Sequence, residues 1–542
     1  MVPSRSRASF AFLFLLSTAV ICFAPSVCDA QLLQGTLTGN VVDSSQAAVP
    51  NASVSIENQG TKLVRDTTAN AGGEYTLATL PPGLYTLTVR ANGFTAHTQT
   101  GIQVNANEVT RINVILAVGQ VNESVTVSAQ AGTLQADRAD VRTDLTSRSL
   151  ADLPTPLGRN YQLTLAVVVP GVSTPSSGGS FAANPSRAVS FGVNGTTGWG
   201  NNTRIDGTSA TNYNGTYPMY TPALDAIETV NVVTNSFDAE QGLAGGAAVN
   251  VQTKSGTNAI HGSLFEFHTD QHIKAYAWAA DRTQPLPKYI NNQFGGSVGG
   301  PIKKDKLFYF VSYQGTYVRQ STSLYSQVPT SNMKAGNLSA SPTAIYDPGT
   351  GNANGTGRIR FAGNQIPVSR FDPAALAIIG TNRWPDPNVR GTGAYGLARN
   401  FLSAGSNGQS QNQWDTKLNW NATSKLSIFA RFGFNDNSWF NPQQYGSLGG
   451  PGFSPSNSSV GTGGGHIYSG TLSATYIFTP KLIVDAYYGY SRNSPSTAQQ
   501  RLNENLGWSL LGIPGLKSSD VREGGWPALM IDGFGAAGVN LP

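Results

Sequence analysis

Three short patterns in this 542-residue sequence hold residue types capable of chemistry, and each lacks a part that the chemistry needs. His268 and His272 stand four apart, the spacing that turns two imidazoles toward one metal ion on a helix. The glutamate that a zinc hydrolase carries after its first histidine is missing, and Asp270 alone does not complete a ligand set. Gly295-Gly296-Ser297-Val298-Gly299 fits the G-x-S-x-G elbow of serine hydrolases, which needs a strand before it and a helix after it. Gly299-Gly300-Pro301 would occupy the first helical turn and disfavour it, so a glycine-rich strand is the better reading. Lys254-Ser255 could end a phosphate loop, but Ala248 and Thr253 stand where its two glycines belong. No catalytic residue, metal or cofactor is expected.

The composition points the same way. Charged residues make up 12% of the chain, about half the usual share, while Gly contributes 61 residues and Tyr 20. Such a chain suits many short strands joined by turns rather than helical bundles. The net charge of +5 is small for this length and no Lys/Arg block stands out, so a nucleic-acid partner is not expected. At the N-terminus, Arg5 and Arg7 precede an apolar run from Phe10 to Phe23, and Cys28-Asp29-Ala30 supplies a small-residue cleavage site before Gln31. This reads as an export signal over residues 1–30. Cys22 and Cys28, the only cysteines, fall inside it, so disulfides cannot staple the mature chain. No other stretch is long and apolar enough for a membrane helix; a membrane-spanning form would have to be a β-barrel.

The elements follow from periodicity and turn residues. From Gly35 to Val118 short alternating strands, among them Leu37–Asp43, Ala52–Ile56 and Leu84–Val89, are punctuated by Asn70-Ala71-Gly72-Gly73 and Pro81-Pro82-Gly83. About seven strands in this span predict a small β-sandwich over residues 31–119. A linker with one short alternating strand, Val121–Ala129, occupies 120–143. A Gly/Asn/Ser-rich region with brief strands and a turn at Arg204-Ile205-Asp206-Gly207 fills 144–256. From 257 to 542 the texture changes to strands of about ten residues with a period of two. Trp414, Thr416, Leu418 and Trp420 alternate with Asp415, Lys417 and Asn419, and Tyr468, Gly470, Leu472, Ala474 and Tyr476 alternate with Ser469, Thr471, Ser473 and Thr475. Ser263, Phe265 and Phe267 alternate in the same way with Leu264, Glu266 and His268. One face is apolar with aromatics near its ends and the other is polar, as in an outer-membrane barrel; His268 and His272 would then be loop or pore-lining side chains. Ser321–Ser410 would be a long polar loop, and Pro301–Asp305 and Asn421–Ser424 short turns.

The first region resembles the carboxypeptidase regulatory-like family, a transthyretin-type sandwich, through Gly39-x-Val41-x-Asp43, Pro50-x-Ala52-x-Val54, Gly73-x-Tyr75-x-Leu77 and Pro82-Gly83-x-Tyr85-x-Leu87. The whole order of parts resembles a TonB-dependent outer-membrane receptor of the Oar-like type. The most specific stretch holds Glu228-x-Val230-x-Val232, Ala239-Glu240-x-Gly242, Gly245-Gly246-x-x-x-Asn250-Val251, Thr253–Asn258 and His261–Glu266 in order. Asn292–Ile302 with Lys306–Phe310 is similar to that family's next hairpin, and Leu153-Pro154 with Gly158-Arg159-Asn160 and Pro170-Gly171-Val172 to the start of its plug.

The resemblance implies a mainly β fold: a β-sandwich, a plug domain over 144–256, and the first strands of an outer-membrane β-barrel. About seven barrel strands are counted after Ala259, where such receptors close about 22, so the chain is expected to be truncated, the N-terminal part of a longer receptor. Glu123-Ser124-Val125-Thr126-Val127 resembles the box that pairs as a strand with TonB, the bland alternative being an edge strand of the sandwich. Arg204, Asp206 and Glu228, rare charges in a charge-poor region, would hold a plug to its barrel or else be exposed turn charges. The implied partners are TonB with ExbB and ExbD, outer-membrane lipid and an extracellular substrate that the sequence does not identify. The implied place is the outer membrane of a Gram-negative cell. The competing reading is a secreted or surface-attached β-rich adhesin or carbohydrate-binding protein.

Overall fold

The computed structural model describes residues 34–529 apart from 107, 120–123, 129–139, 154–158, 178–183, 185, 213–216, 238–241, 243, 277–281, 284–285, 380–383, 394–395, 447–448, 450–452, 454–459, 480–481, 500, 518, 521–522 and 528. The expected export signal, Glu123, Ala239-Glu240 and the tail Ala536–Pro542 lie outside the described residues.

Alternation builds the first part as expected. Strands β1 (Gly35–Asp43), β4 (Glu74–Leu80), β7 (Val109–Arg111) and β8 (Val114–Leu116) form one sheet. Strands β2 (Ser53–Asn58), β3 (Val64–Thr68), β5 (Gly83–Arg90), β6 (Ala96–Val104) and β9 (Ser124–Ser128) form a second, in the order β3-β2-β5-β6-β9. Every second side chain turns inward: Leu37, Val41, Val54, Ile56, Tyr75, Tyr85, Leu87 and Val114 share one buried core. The buried Tyr75 hydroxyl donates to the Ile112 carbonyl at 2.7 Å, so its polar tip is satisfied inside the core. Burial holds that phenol above its ordinary value of 10.

The middle region is organised by one sheet in the order β10-β15-β16-β13-β14. Its strands are β10 (Val141–Thr146), β13 (Asn202–Ile205), β14 (Thr208–Ser209), β15 (Ile227–Asn235) and β16 (Ala248–Thr253), while β11 (Ser176–Ser177) and β12 (Val189–Ser190) pair separately. Its core draws Leu165, Phe191, Ile205, Tyr220, Val230 and Val249 together and includes one side chain from the next region, Ile467.

That next region is a seven-stranded antiparallel meander in sequence order: β17 (His261–Asp270), β18 (Tyr289–Lys303), β19 (Leu307–Ser326), β20 (Phe401–Asn421), β21 (Leu426–Asn441), β22 (Gly461–Thr479) and β23 (Leu482–Ala498). Seven strands were counted in the sequence, but most are longer than the ten residues expected; β20 has 21. The polar segment taken as a loop from Ser321 to Ser410 is correspondingly shorter, because β19 runs to Ser326 and β20 starts at Phe401. Cross-strand bonds such as Ser321 Oγ to Ser406 Oγ at 3.0 Å explain how polar chain continues the ladder there.

The register sorts the side chains into two faces. In rows across the sheet, Val311, Thr416, Phe432, Gly470 and Tyr490 point one way, as do Tyr309, Leu418, Ala430, Leu472 and Tyr488. This face leaves Leu418, Phe432, Leu472, Tyr488 and Tyr490 exposed. On β19 it runs from Leu307 to Tyr317, about 33 Å along the strand. A tilt of about 40° reduces that to about 25 Å, the height of the apolar band of outer-membrane barrels. The opposite face buries Gln413, Asp415, Lys417, Arg431, Asn435, Ser469 and Thr471. One detail reverses the sequence reading. On β17 the outer face carries Leu264, with Glu266 and His268, whereas Phe265 and Phe267 turn inward onto a cation of the middle region. His268 is therefore an exposed outer-face residue, bonded to Asn292, and not pore-lining.

In the complete protein, Leu472→Arg is expected to cost about 2–4 kcal/mol of stability in lipid vesicles, the penalty for a charge on the lipid face at mid-bilayer. Reversible urea unfolding from vesicles, with Leu472→Ala alongside, measures it. Equal stability of the two variants would mean that this face does not meet lipid.

Candidate functional site

The inner face of the meander carries an arrangement that a sheet would not build for itself. Lys417 of β20 and Arg431 of β21 are direct cross-strand partners on that face. Like charges directly opposite repel, and here both are buried. What reconciles them is an anion from the middle region. Asp206, whose side chain is fully buried, sits 2.9 Å from Lys417 Nζ and 3.7 Å from Arg431 Nε.

The chain delivers that carboxylate with a two-residue turn. Asp206 and Gly207 connect β13 to β14, with φ of 45° and 87°. Both positions need the left-handed region, which is why an Asp-Gly pair serves in this hairpin. The Thr253 amide donates to Asp206 Oδ1 at 3.1 Å and its hydroxyl to Oδ2 at 2.6 Å. Lys417 Nζ also donates to the Thr253 carbonyl at 3.0 Å. Asp206 thus accepts charge-assisted bonds from both sides of the interface.

A second carboxylate balances the second cation. Asp415, one rung from Lys417 on the same face, lies 3.4 Å from Arg431 Nη2. It accepts from the Tyr220 hydroxyl at 2.8 Å and the Ala223 amide at 3.1 Å, both from the middle region. Burial first, and the neighbouring Asp415 charge second, hold the Tyr220 phenol well above 10, so it stays a donor. The Arg431 guanidinium lies 4.9 Å from the Tyr220 ring centre and donates to Ser469 Oγ at 3.0 Å. Gly433 leaves the room this needs: a Cβ there would stand 2.6 Å from the Tyr220 ring. Further along, Thr208 meets Thr471, their hydroxyls 2.8 Å apart.

Two cations and two carboxylates give a neutral, dry cluster, and its chemistry is that of a fastening. A second tie reinforces it: Arg159 pairs with Asp225 at 2.8 Å and lies 4.0 Å from the centre of the Phe265 ring. The sandwich is tied to the short-turn end of the sheet. The Arg65 guanidinium donates to the Ser424 carbonyl and to Ser427 Oγ, and Gln34 reaches Thr475 Oγ1 at 3.0 Å. Burial lowers the Arg65 pKa from its ordinary value.

Of the three charges singled out in the middle region, Asp206 alone stands in this cluster. Arg204 is half-buried on β13, in register with Ser209 and Asn250. Glu228 is half-buried and lines a cavity of about 740 Å³ between the sandwich, residues 252–257 and the sheet. In the box candidate, Ser124–Val127 lie on β9, paired in parallel with β6. Sequence reasoning missed Asp415, Lys417, Arg431 and Tyr220. The available signal was three charges, Asp415, Lys417 and Arg431, at inward positions of alternating strands whose one other charge is Asp436. Among the described residues no group of three or more His, Cys, Asp or Glu gathers as a metal site, and Ser297 lies within β18.

The fold and its two-faced sheet belong to a known class. Residues 252–541 match the outer membrane beta barrel domain family, and the chain belongs to it. Residues 36–117 match the carboxypeptidase regulatory-like domain. The chain is 28% identical to the TonB-dependent transporter Oar of Myxococcus xanthus over 304 residues, 52% of this chain and 27% of that protein. The match thus spans about a quarter of that relative's length. Among solved structures, the ferric enterobactin receptor of Pseudomonas aeruginosa aligns with 65% of this chain and 41% of its own, at 13% identity and a TM-score of 0.36. The outer membrane transporter YddB of Escherichia coli aligns over 66% and 40%, at 11% identity and 0.40. The resemblance to Oar-like TonB-dependent receptors read from the sequence is borne out.

Asp206→Asn leaves Lys417 and Arg431 facing one another without their anion. It is expected to weaken docking of the middle region by about 3–5 kcal/mol, the usual cost of breaking a buried pair from one side. Lys417→Met should cost less, because Thr253 and Arg431 still hold Asp206, and the double variant less than the sum. Trypsin sensitivity of residues 140–256 along a urea gradient reads all three. Strict additivity would mean that the pair is not coupled.

Proposed function

We propose that the complete protein is a TonB-dependent transporter of the outer membrane, with residues 144–256 as its plug. The observation that carries this reading is the middle region bolted by Asp206 to the polar face of a sheet whose other face suits lipid. The short-turn end, where the sandwich docks, would face the periplasm. The long segment 327–400 would face outward and contribute to substrate capture. Residues 1–30 would direct export.

In this reading TonB, energised through ExbB and ExbD, pulls on the box, and the plug rearranges to admit a substrate bound from outside. No covalent step is required, so no residue is given a catalytic role. The ion cluster fits a part that must stay closed at rest yet move without chemical change. Its bonds are directional and exchangeable, whereas a hydrophobic interface of equal area would offer no defined partner to exchange. A soluble adhesin gives no reason for large apolar side chains such as Leu264, Leu472 and Tyr488 to stand exposed on one side of one sheet.

Deleting Glu123–Val127 from the complete receptor is expected to abolish energised uptake while leaving surface binding of its substrate at the wild-type level. Substrates are first found by comparing cells with and without the gene. Equal loss of binding and uptake would refute the box assignment.

A further inference from the structure

The sandwich's five-stranded sheet has two edges of opposite character. One is β3, whose Arg65 and Asp66 place charge on the edge, with Arg65 engaged at Ser424 and Ser427. The other is β9, with the sequence Ser-Val-Thr-Val-Ser, which carries no charge, proline or glycine. Proteins usually blunt exposed edges with charge, proline or bulges, because a bare edge recruits another strand. Here β9 is bare and rich in β-branched residues. It pairs with β6 in unbroken parallel register from Ala96↔Ser124 to Thr100↔Ser128, and among the described residues no strand pairs with its far side.

In a strand, alternate backbone N–H and C=O groups point to opposite neighbours, so pairing with β6 leaves the other set free to bond. We propose that the sandwich presents Ser124–Ser128, already extended, as an open edge to which a strand of the periplasmic partner adds. The docking surface is then β9 held on β6, and not a loose peptide. This rests on reading Glu123–Val127 as the box, and it gives the sandwich a role in docking. Ordering the segment beforehand removes a cost that a flexible box would meet on binding. It also fixes which edge the partner takes, since β6 occupies the other.

The test uses the complete receptor with Thr98→Cys and Thr126→Cys, the partners at the centre of the register. The chain's cysteines, Cys22 and Cys28, both precede the expected cleavage point. The periplasmic domain of TonB is the probe, with affinity measured for the oxidised and reduced forms and for a separate Thr126→Pro variant. The oxidised lock is expected to bind within about threefold of the reduced form, or tighter, and Thr126→Pro at least tenfold more weakly than wild type. Loss of binding on oxidation, with the reduced form still binding, would overturn the proposal by showing that the strand must leave the sandwich first. Failure of the pair to oxidise would overturn the register itself. Unchanged binding by Thr126→Pro would instead sink the box assignment beneath it.

Discussion

Everything in the middle of this molecule is arranged around one carboxylate. Without Asp206, the register of β20 and β21 would press Lys417 against Arg431 in a space that water does not reach. With it, the two cations become the reason the middle region sits where it does. The turn that carries Asp206, the Thr253 bonds that hold it and the glycine that makes room for Tyr220 all serve that placement. A buried ion cluster is a poor source of net stability, since desolvation offsets most of its attraction. It is a better source of position, because its bonds are directional and join Asp206 and Tyr220 of one region to Lys417 and Asp415 of the other.

The meander obeys a second constraint, the period of two. Each strand must offer one face to an apolar surrounding and the other to a polar, partly charged interior. Slipping any strand by one residue would exchange the faces and expose Lys417 and Arg431 where Leu418 and Phe432 now lie. The inward charge cluster therefore helps to fix the register, besides fastening what lies inside.

Periodicity made much of this legible. The sandwich strands, the seven long strands and their outer faces at Trp414–Trp420 and Tyr468–Tyr476 follow from alternation alone, and Asp206 stood out as a charge on a tight turn. The rest depended on contacts that a linear pattern does not encode. Phe265 and Phe267 look like lipid-facing residues by type; the cation of Arg159, a hundred residues earlier in the chain, draws them inward. Arg431 sits in an aromatic run, Phe429-Ala430-Arg431-Phe432, and only the register of β20 with β21 shows that it shares a rung with Lys417. The strands outrun the membrane because serines and amides keep pairing beyond the apolar band, where hydrophobicity gives no boundary.

The topology also decides how a pull on the front of the chain would be felt. From β9 the chain passes through residues 129–140, which span at most about 40 Å when extended, and enters the middle sheet as β10. Among the described residues β10 is an edge strand of that sheet, paired only with β15, while β13 and β14, which carry Asp206 and Thr208 to the seven-stranded sheet, lie at the far end. Tension therefore reaches β10 and its ladder with β15 before it reaches the ion cluster. Each ladder bond contributes only about 0.5–1.5 kcal/mol net, and these bonds can be lost one after another from the pulled end. The ordering favours peeling of one edge strand, with the cluster holding the remaining sheet against the wall. Under such a pull the middle sheet would yield first along its β10 side by local unravelling, with the end held at Asp206 still in place.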